Sequence, residues 1–176
     1  MLAALKSFFG PFPITEQAHA AYVRIVSQSR NQKFYTDFGV ADTIDGRFDV
    51  IVLHLSLVLN RLKSEQQMGE FKRVLQEVFF ADMDRSLREM GVTDTGVGKR
   101  IKKMTQAFYG RLQTYEIAFD DEKLLAEALS RNLYRGIIVS ETVSSAIANY
   151  IQRTRSYLET QPVDAFTAAT FNFSVI

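Results

Sequence analysis

Apolar residues recur three and four apart along most of this chain, and no run alternates at every second position as a strand would, so the pattern predicts helices. The strongest stripe is Met68, Phe71, Leu75, Val78, Phe79, Met83, Leu87 and Met90, one face of an amphipathic helix. Gly91 follows where a left-handed residue usually stops a helix. Thr93, Asp94 and Thr95 offer oxygens to the free amides of a second helix, whose stripe runs Ile101, Met104, Phe108, Leu112 and Tyr115. Upstream, Thr15 is the expected cap of a helix to about Arg30, with Ala18, Ala21, Tyr22, Ile25 and Val26 facing inward. A connector from Asn31 to Asp42 has room for one turn around Phe34, Tyr35 and Phe38. Asp42 or Thr43 then caps a helix from Asp45 to about Lys63. There Phe48, Ile51, Val52, Leu55, Val58, Leu59 and Leu62 form one face, and Val50, Leu53 and Leu57 nearly close the circle. A helix apolar on most sides is buried among others.

Downstream, Asp120 or Asp121 opens a helix through Leu124, Leu125, Ala128, Leu129, Leu133 and Tyr134, closed by Gly136. Ser140 caps a long helix to about Thr160, with Val143, Ile147, Tyr150, Ile151 and Leu158 in register, and Pro162 ends it. The expected fold is all-α, a single compact multi-helix domain over residues 14–161 with a buried central helix. An N-terminal arm, residues 1–13, carries Phe8, Phe9 and Phe12 among Gly10, Pro11 and Pro13 and is expected to pack on the domain, the alternative being a weak interfacial membrane anchor. The C-terminal tail, residues 162–176, carries Phe166, Phe171, Phe173 and Ile176 and is expected either to dock on the domain or to stay free for a partner, docking being the preferred reading.

Composition narrows the function classes. The 176 residues are 47% apolar and 23% charged, ordinary for one globular domain, and the net charge of +1 confines any nucleic-acid contact to a local patch. With no cysteine, thiol chemistry, disulfides and cysteine metal sites are excluded. The longest apolar run, Val50 to Leu59, is about half of the ~20 residues a membrane span needs and contains His54 and Ser56. The opening MLAALKSFFG lacks the apolar stretch and cleavage site of a secretory signal.

The outward faces of the two central stripes are where charge concentrates. Asp82, Asp84, Arg85, Arg88 and Glu89 crowd one; Lys99, Arg100, Lys102 and Lys103 crowd the other, with no acid between Asp94 and Glu116. Asp82–Arg85, Asp84–Arg88 and Arg85–Glu89 fall at i,i+3 or i,i+4, so the acids are expected to pair along the helix rather than form a metal or acid–base site. The lysine cluster has no such internal compensation and invites an external anion, such as rRNA phosphate or an acidic partner loop. Tyr109 lies off the stripe beside Gly110 and Arg111, a composition found at interface hot spots. GVTDTGVGKR does not make a phosphate-binding loop, because Val97 stands where lysine is required after Gly96. His54 is a possible haem or metal ligand, yet no second histidine or methionine sits at i+4 to help it, and a hydrogen-bonded core histidine is the simpler reading.

The segment DMDRSLREMGVTDTGVGKRIKKM, followed by AFYGR, resembles the signature of the ubiquinol–cytochrome c chaperone family, assembly factors of the cytochrome bc1 complex. A second block, Phe34 to Leu62, resembles the upstream part of the same family, and the two cover about half the chain. The resemblance implies a non-enzymatic chaperone without a cofactor that holds newly made cytochrome b, acts near ribosomes, and in mitochondria works with a small partner subunit. It also implies membrane proximity without a span, and the lack of a presequence suggests the bacterial cytoplasm. Under this reading Asp82, Asp84, Arg85, Arg88, Glu89, Lys99, Arg100, Lys102, Lys103, Tyr109 and Arg111 are the candidate partner-binding residues. The alternative is a helical haem- or isoprenoid-binding protein or enzyme using His54 with Asp82 and Asp84.

Overall fold

A computed structural model describes residues 13–176. It contains α1 (Ile14–Ser29), α2 (Lys33–Thr36), α3 (Ile44–Arg61), a 3-10 turn (Gln66–Met68), α4 (Gly69–Glu89), α5 (Asp94–Ala118), α6 (Glu122–Asn132), α7 (Glu141–Glu159) and α8 (Asp164–Thr167). No strand occurs among the described residues, and the all-α expectation holds. The arm read at residues 1–13 lies outside the described residues except for Pro13, which occupies the N-cap of α1.

α3 is the central helix, with every residue from Phe48 to Leu59 buried. It is flanked by α1, α5 and α7, while α4 lies along α1 and α5, and α6 bridges α5 and α7. Burial on nearly all sides explains why its stripe is wide, since each flanking helix claims its own sector. No helix among the described residues is long and apolar enough to cross a membrane.

Caps divide into those that local chemistry settles and those it does not. Thr43 accepts from the Gly46 amide, Asp121 from Leu124 and Ser140 from Val143, as the sequence leads one to expect. Thr15 does not cap α1: the chain turns helical one residue earlier, with the Pro13 carbonyl accepting from Glu16 and Gln17. Thr93 occupies the N-cap of α5 without a side-chain bond, so that start is held from outside, by Arg88 of α4 on Asp94. Gly91 takes φ +79°, the left-handed turn predicted for it. Gly46 is needed for a different reason, because a Cβ there would lie 1.9 Å from the Ala41 carbonyl oxygen.

The C-terminal tail docks. Phe166 and Phe171 are fully buried and stacked with centroids 4.8 Å apart, and Phe173 sets its edge against His54 at 5.1 Å. Polar ties hold the same segment: Arg24 Nε donates to the Phe171 carbonyl at 2.7 Å, and Gln161 exchanges two bonds with the Asn172 backbone. The tail therefore closes the core over α1, α3 and α7.

Candidate functional site

The α4–α5 pair presents its ionic sides outward. Arg85 donates to Asp82, and Arg88 bridges Asp84 of its own helix and Asp94 of the next. The expected third pair, Arg85–Glu89, gives way to Asp82, whose other oxygen accepts from Tyr22 of α1 at 2.9 Å. The tyrosine hydroxyl is buried in that bond and, beside a carboxylate, its pKa is driven far up. These acids are thus half-neutralised anchors, and no cluster able to hold a metal ion exists among the described residues.

Lys99, Arg100, Lys102 and Lys103 are all exposed and make no ion pair with any described residue. Tyr109 is 51% exposed, with its ring against Phe80 and Phe108. At the helical period Lys99, Lys102, Lys103 and Tyr109 share the outer face of α5. Arg111 does not belong with them. It turns inward, only 14% exposed, placing Nη2 2.9 Å from Asp49 Oδ1 and its guanidinium over Phe48. The expectation that Arg111 faces a partner is corrected: its helical position points at α3, and Asp49 uses its charge.

Asp49 is fully buried on α3 between Arg111 and Arg135. Arg135 Nε donates to Oδ2 at 2.7 Å, while Arg111 approaches Oδ1 off the line of its N–H, an ion contact rather than a hydrogen bond. Burial pushes the Asp49 carboxyl up, and the two guanidiniums oppose that shift. Arg135 itself sits at φ +53°, a conformation unfavourable for a residue with a side chain, and its bonds to Asp49 and Asp45 hold it there.

His54 is fully buried with both ring nitrogens engaged. Nδ1 lies 2.8 Å from the Val50 carbonyl, which can only accept, so Nδ1 carries the proton. Nε2 then accepts from the Tyr150 hydroxyl at 2.8 Å, and Tyr150 in turn accepts from Gln28 Nε2 at 2.9 Å. Phe34 and Phe173 close the ring in from the sides. Burial lowers its pKa to about 4. A histidine so enclosed has no lone pair to offer iron, and Asp82 belongs to a different surface. The two halves of the haem or isoprenoid reading are not brought together.

What the stripe patterns hide is a groove at one end of the bundle. Met83, Leu87 and Met90 of α4, Met104 of α5, Val26 of α1 and Ile44, Phe48 and Ile51 of α3 line a cavity of about 220 Å³. Three of the chain's five methionines are in it. Met90, expected inside, is 46% exposed because α4 outruns the core by a turn before Gly91 reverses it. Arg30 and Arg47 stand at the same groove. Neither arginine is marked by sequence pattern; the clustering of Met83, Met90 and Met104 is the only hint.

Comparisons with known proteins bear on the fold and the family. A family model described as ubiquinol-cytochrome C chaperone matches residues 36–173. The crystal structure of the Cbp3 homolog from Brucella abortus is similar in fold, with a TM-score of 0.79 and 33% identity over 91% of this chain and 90% of that one. Curated relatives named ubiquinol-cytochrome c reductase complex assembly factor 1 include those of Xenopus laevis and Mus musculus. The first is 25% identical over 79% of this chain and 70% of its own length; the second is 25% identical over 78% of this chain. The chain spans about half the length (48%) of the mouse relative. The match runs through the Gly91 corner, the lysine cluster and the docked tail, and by it this chain belongs to the ubiquinol-cytochrome C chaperone family.

Proposed function

We propose that this protein is a non-catalytic assembly chaperone of the cytochrome bc1 complex that binds newly made cytochrome b and aids its maturation. The observation that carries the reading is the family match across the α4–α5 pair, joined to the fact that Lys99, Arg100, Lys102 and Lys103 of α5 make no ion pair with any described residue. Lys99, Arg100, Lys102, Lys103 and Tyr109 offer docking chemistry to an anionic surface, the Asp82–Arg85 and Asp84–Arg88 pairs supply orientation, and Glu89 completes that face. The groove supplies adaptable apolar contact, since methionine side chains refit to varied partners. Its 220 Å³ falls below the ~300 Å³ at which small-molecule and cofactor pockets begin, so it suits side chains of a protein better than a haem.

The same reading places the protein at the cytoplasmic membrane surface of a bacterium, near ribosomes making its client, and allows a small partner subunit. Release is by competing partners rather than by nucleotide hydrolysis. Tagged protein recovered from cells should bring nascent cytochrome b with it. Cells lacking the protein but retaining normal bc1 levels would remove the proposal.

A further inference from the structure

We infer that the groove takes an apolar stretch of a protein partner whose flanks carry carboxylates. This rests on the assembly reading only for the identity of the partner; the chemistry comes from the groove. Its floor is apolar and deformable, built from Met83, Met90, Met104, Ile44, Phe48 and Ile51. Its edges are cationic. Arg30 ends α1 and makes no ion pair with a described residue, and Arg47 is 63% exposed with a single exposed partner, Asp42. Arg100 stands one helical turn before Met104 on the same side of α5. Among the described residues the one acid on the lining, Asp82, is already held by Arg85 and Tyr22. An occupant with lysines at its ends would meet uncompensated like charge, whereas glutamates or aspartates would find Arg30, Arg47 and Arg100 free or freely exchangeable. Like-charge exclusion supplies as much of the selectivity as attraction does.

A protein segment fits better than a lipid. The groove is lined by residues of α1, α2, α3, α4 and α5 or their caps, and its cationic edge beside a short apolar floor suits a few side chains of a peptide with acidic flanks. Helix-in-groove recognition reads such anchors at i, i+3 and i+4 and leaves the flanking positions to the rim.

The test uses the whole protein and two fluorescent helical peptides that share one Leu/Met ridge, one flanked by glutamates and the other by lysines. The glutamate peptide should bind at least about tenfold more tightly at low salt, and the gap should close as salt rises. The triple variant Arg30→Glu, Arg47→Glu, Arg100→Glu should invert the preference, and Met90→Glu, at a half-exposed position, should weaken the glutamate peptide further while far-ultraviolet circular dichroism stays unchanged. Equal binding of the two peptides, or binding of neither, overturns the inference. So does binding of anionic vesicles that the glutamate peptide cannot displace, or dimerisation that Met90→Glu abolishes and the peptide does not compete with. Cellular bc1 levels separate the two ideas. Equal peptide binding alongside lost bc1 complex sinks the inference alone, and normal bc1 in cells lacking the protein sinks the assembly reading alone.

Discussion

Two polar regions of this molecule treat charge in opposite ways. Around α3, Asp49 and His54 are fully buried, and their bonds reach to Arg111, Arg135, Tyr150 and Gln28 on other parts of the chain. Along the outer face of α4 and α5, Arg85, Arg88 and the lysine cluster meet water, with partners drawn from one or two turns away or none at all. A buried ion that loses its counter-charge has nowhere to go, so the interior groups fix how helices pack. Exposed pairs contribute little to stability and stay available to another molecule. The same residue type, arginine, is tied to a fully buried carboxylate at 111 and 135 and to carboxylates that water reaches at 85 and 88, so the burial of the partner makes the difference.

The sharpest way to break this contrast is Asp49→Ala. It strands the Arg111 guanidinium in the interior and leaves the half-exposed Arg135 in a left-handed conformation with Asp45 alone, so the loss should be about 3 kcal/mol in urea denaturation. An Asp49→Ala variant of unchanged stability would mean that the interior ion cluster does not organise the fold. Phe171→Ala empties a fully buried site under the tail and should cost about 3–4 kcal/mol, with faster proteolysis of the C-terminal residues as a second readout.

pH gives the next effect. His54 has a folded pKa of about 4, below its ordinary 6.5, so between these values the unfolded chain binds the extra proton. Its contribution is whole above pH 6.5 and is lost as pH falls toward 4, about 3 kcal/mol in all. A His54→Gln variant should have a flatter stability profile across that window than the parent, whatever its absolute stability. Smallest on stability is charge reversal outside: Lys102→Glu or Lys103→Glu should leave the urea midpoint nearly unchanged. Each should nonetheless lower accumulated bc1 complex in cells, and a variant that leaves bc1 intact would show that this face is only solvated.

The helix pattern was legible because periodicity and capping are local. The stripe from Met68 to Leu87 reads from the sequence and reappears as one packed face, and Gly91 adopts the conformation its position required. The family likewise shows in the order of residues around that corner, since a contiguous motif needs no coordinates to be seen. Other features needed the chain to be folded. Arg111 and Tyr109 are two residues apart, yet only packing against α3 makes one an internal counter-ion and leaves the other half in water. Gly46 is obligatory because of a carbonyl five residues away that no periodicity identifies. The groove assembles Arg30, Arg47, Met90 and Met104 from four helices, and Asp49 reaches across to Arg135 eighty-six residues on. What the amino-acid order determined by itself were the helices, their apolar faces and the kinship, because those depend on neighbours in the chain. Which charges are buried, which are free and where the groove opens were decided by tertiary packing, because desolvation depends on neighbours in space.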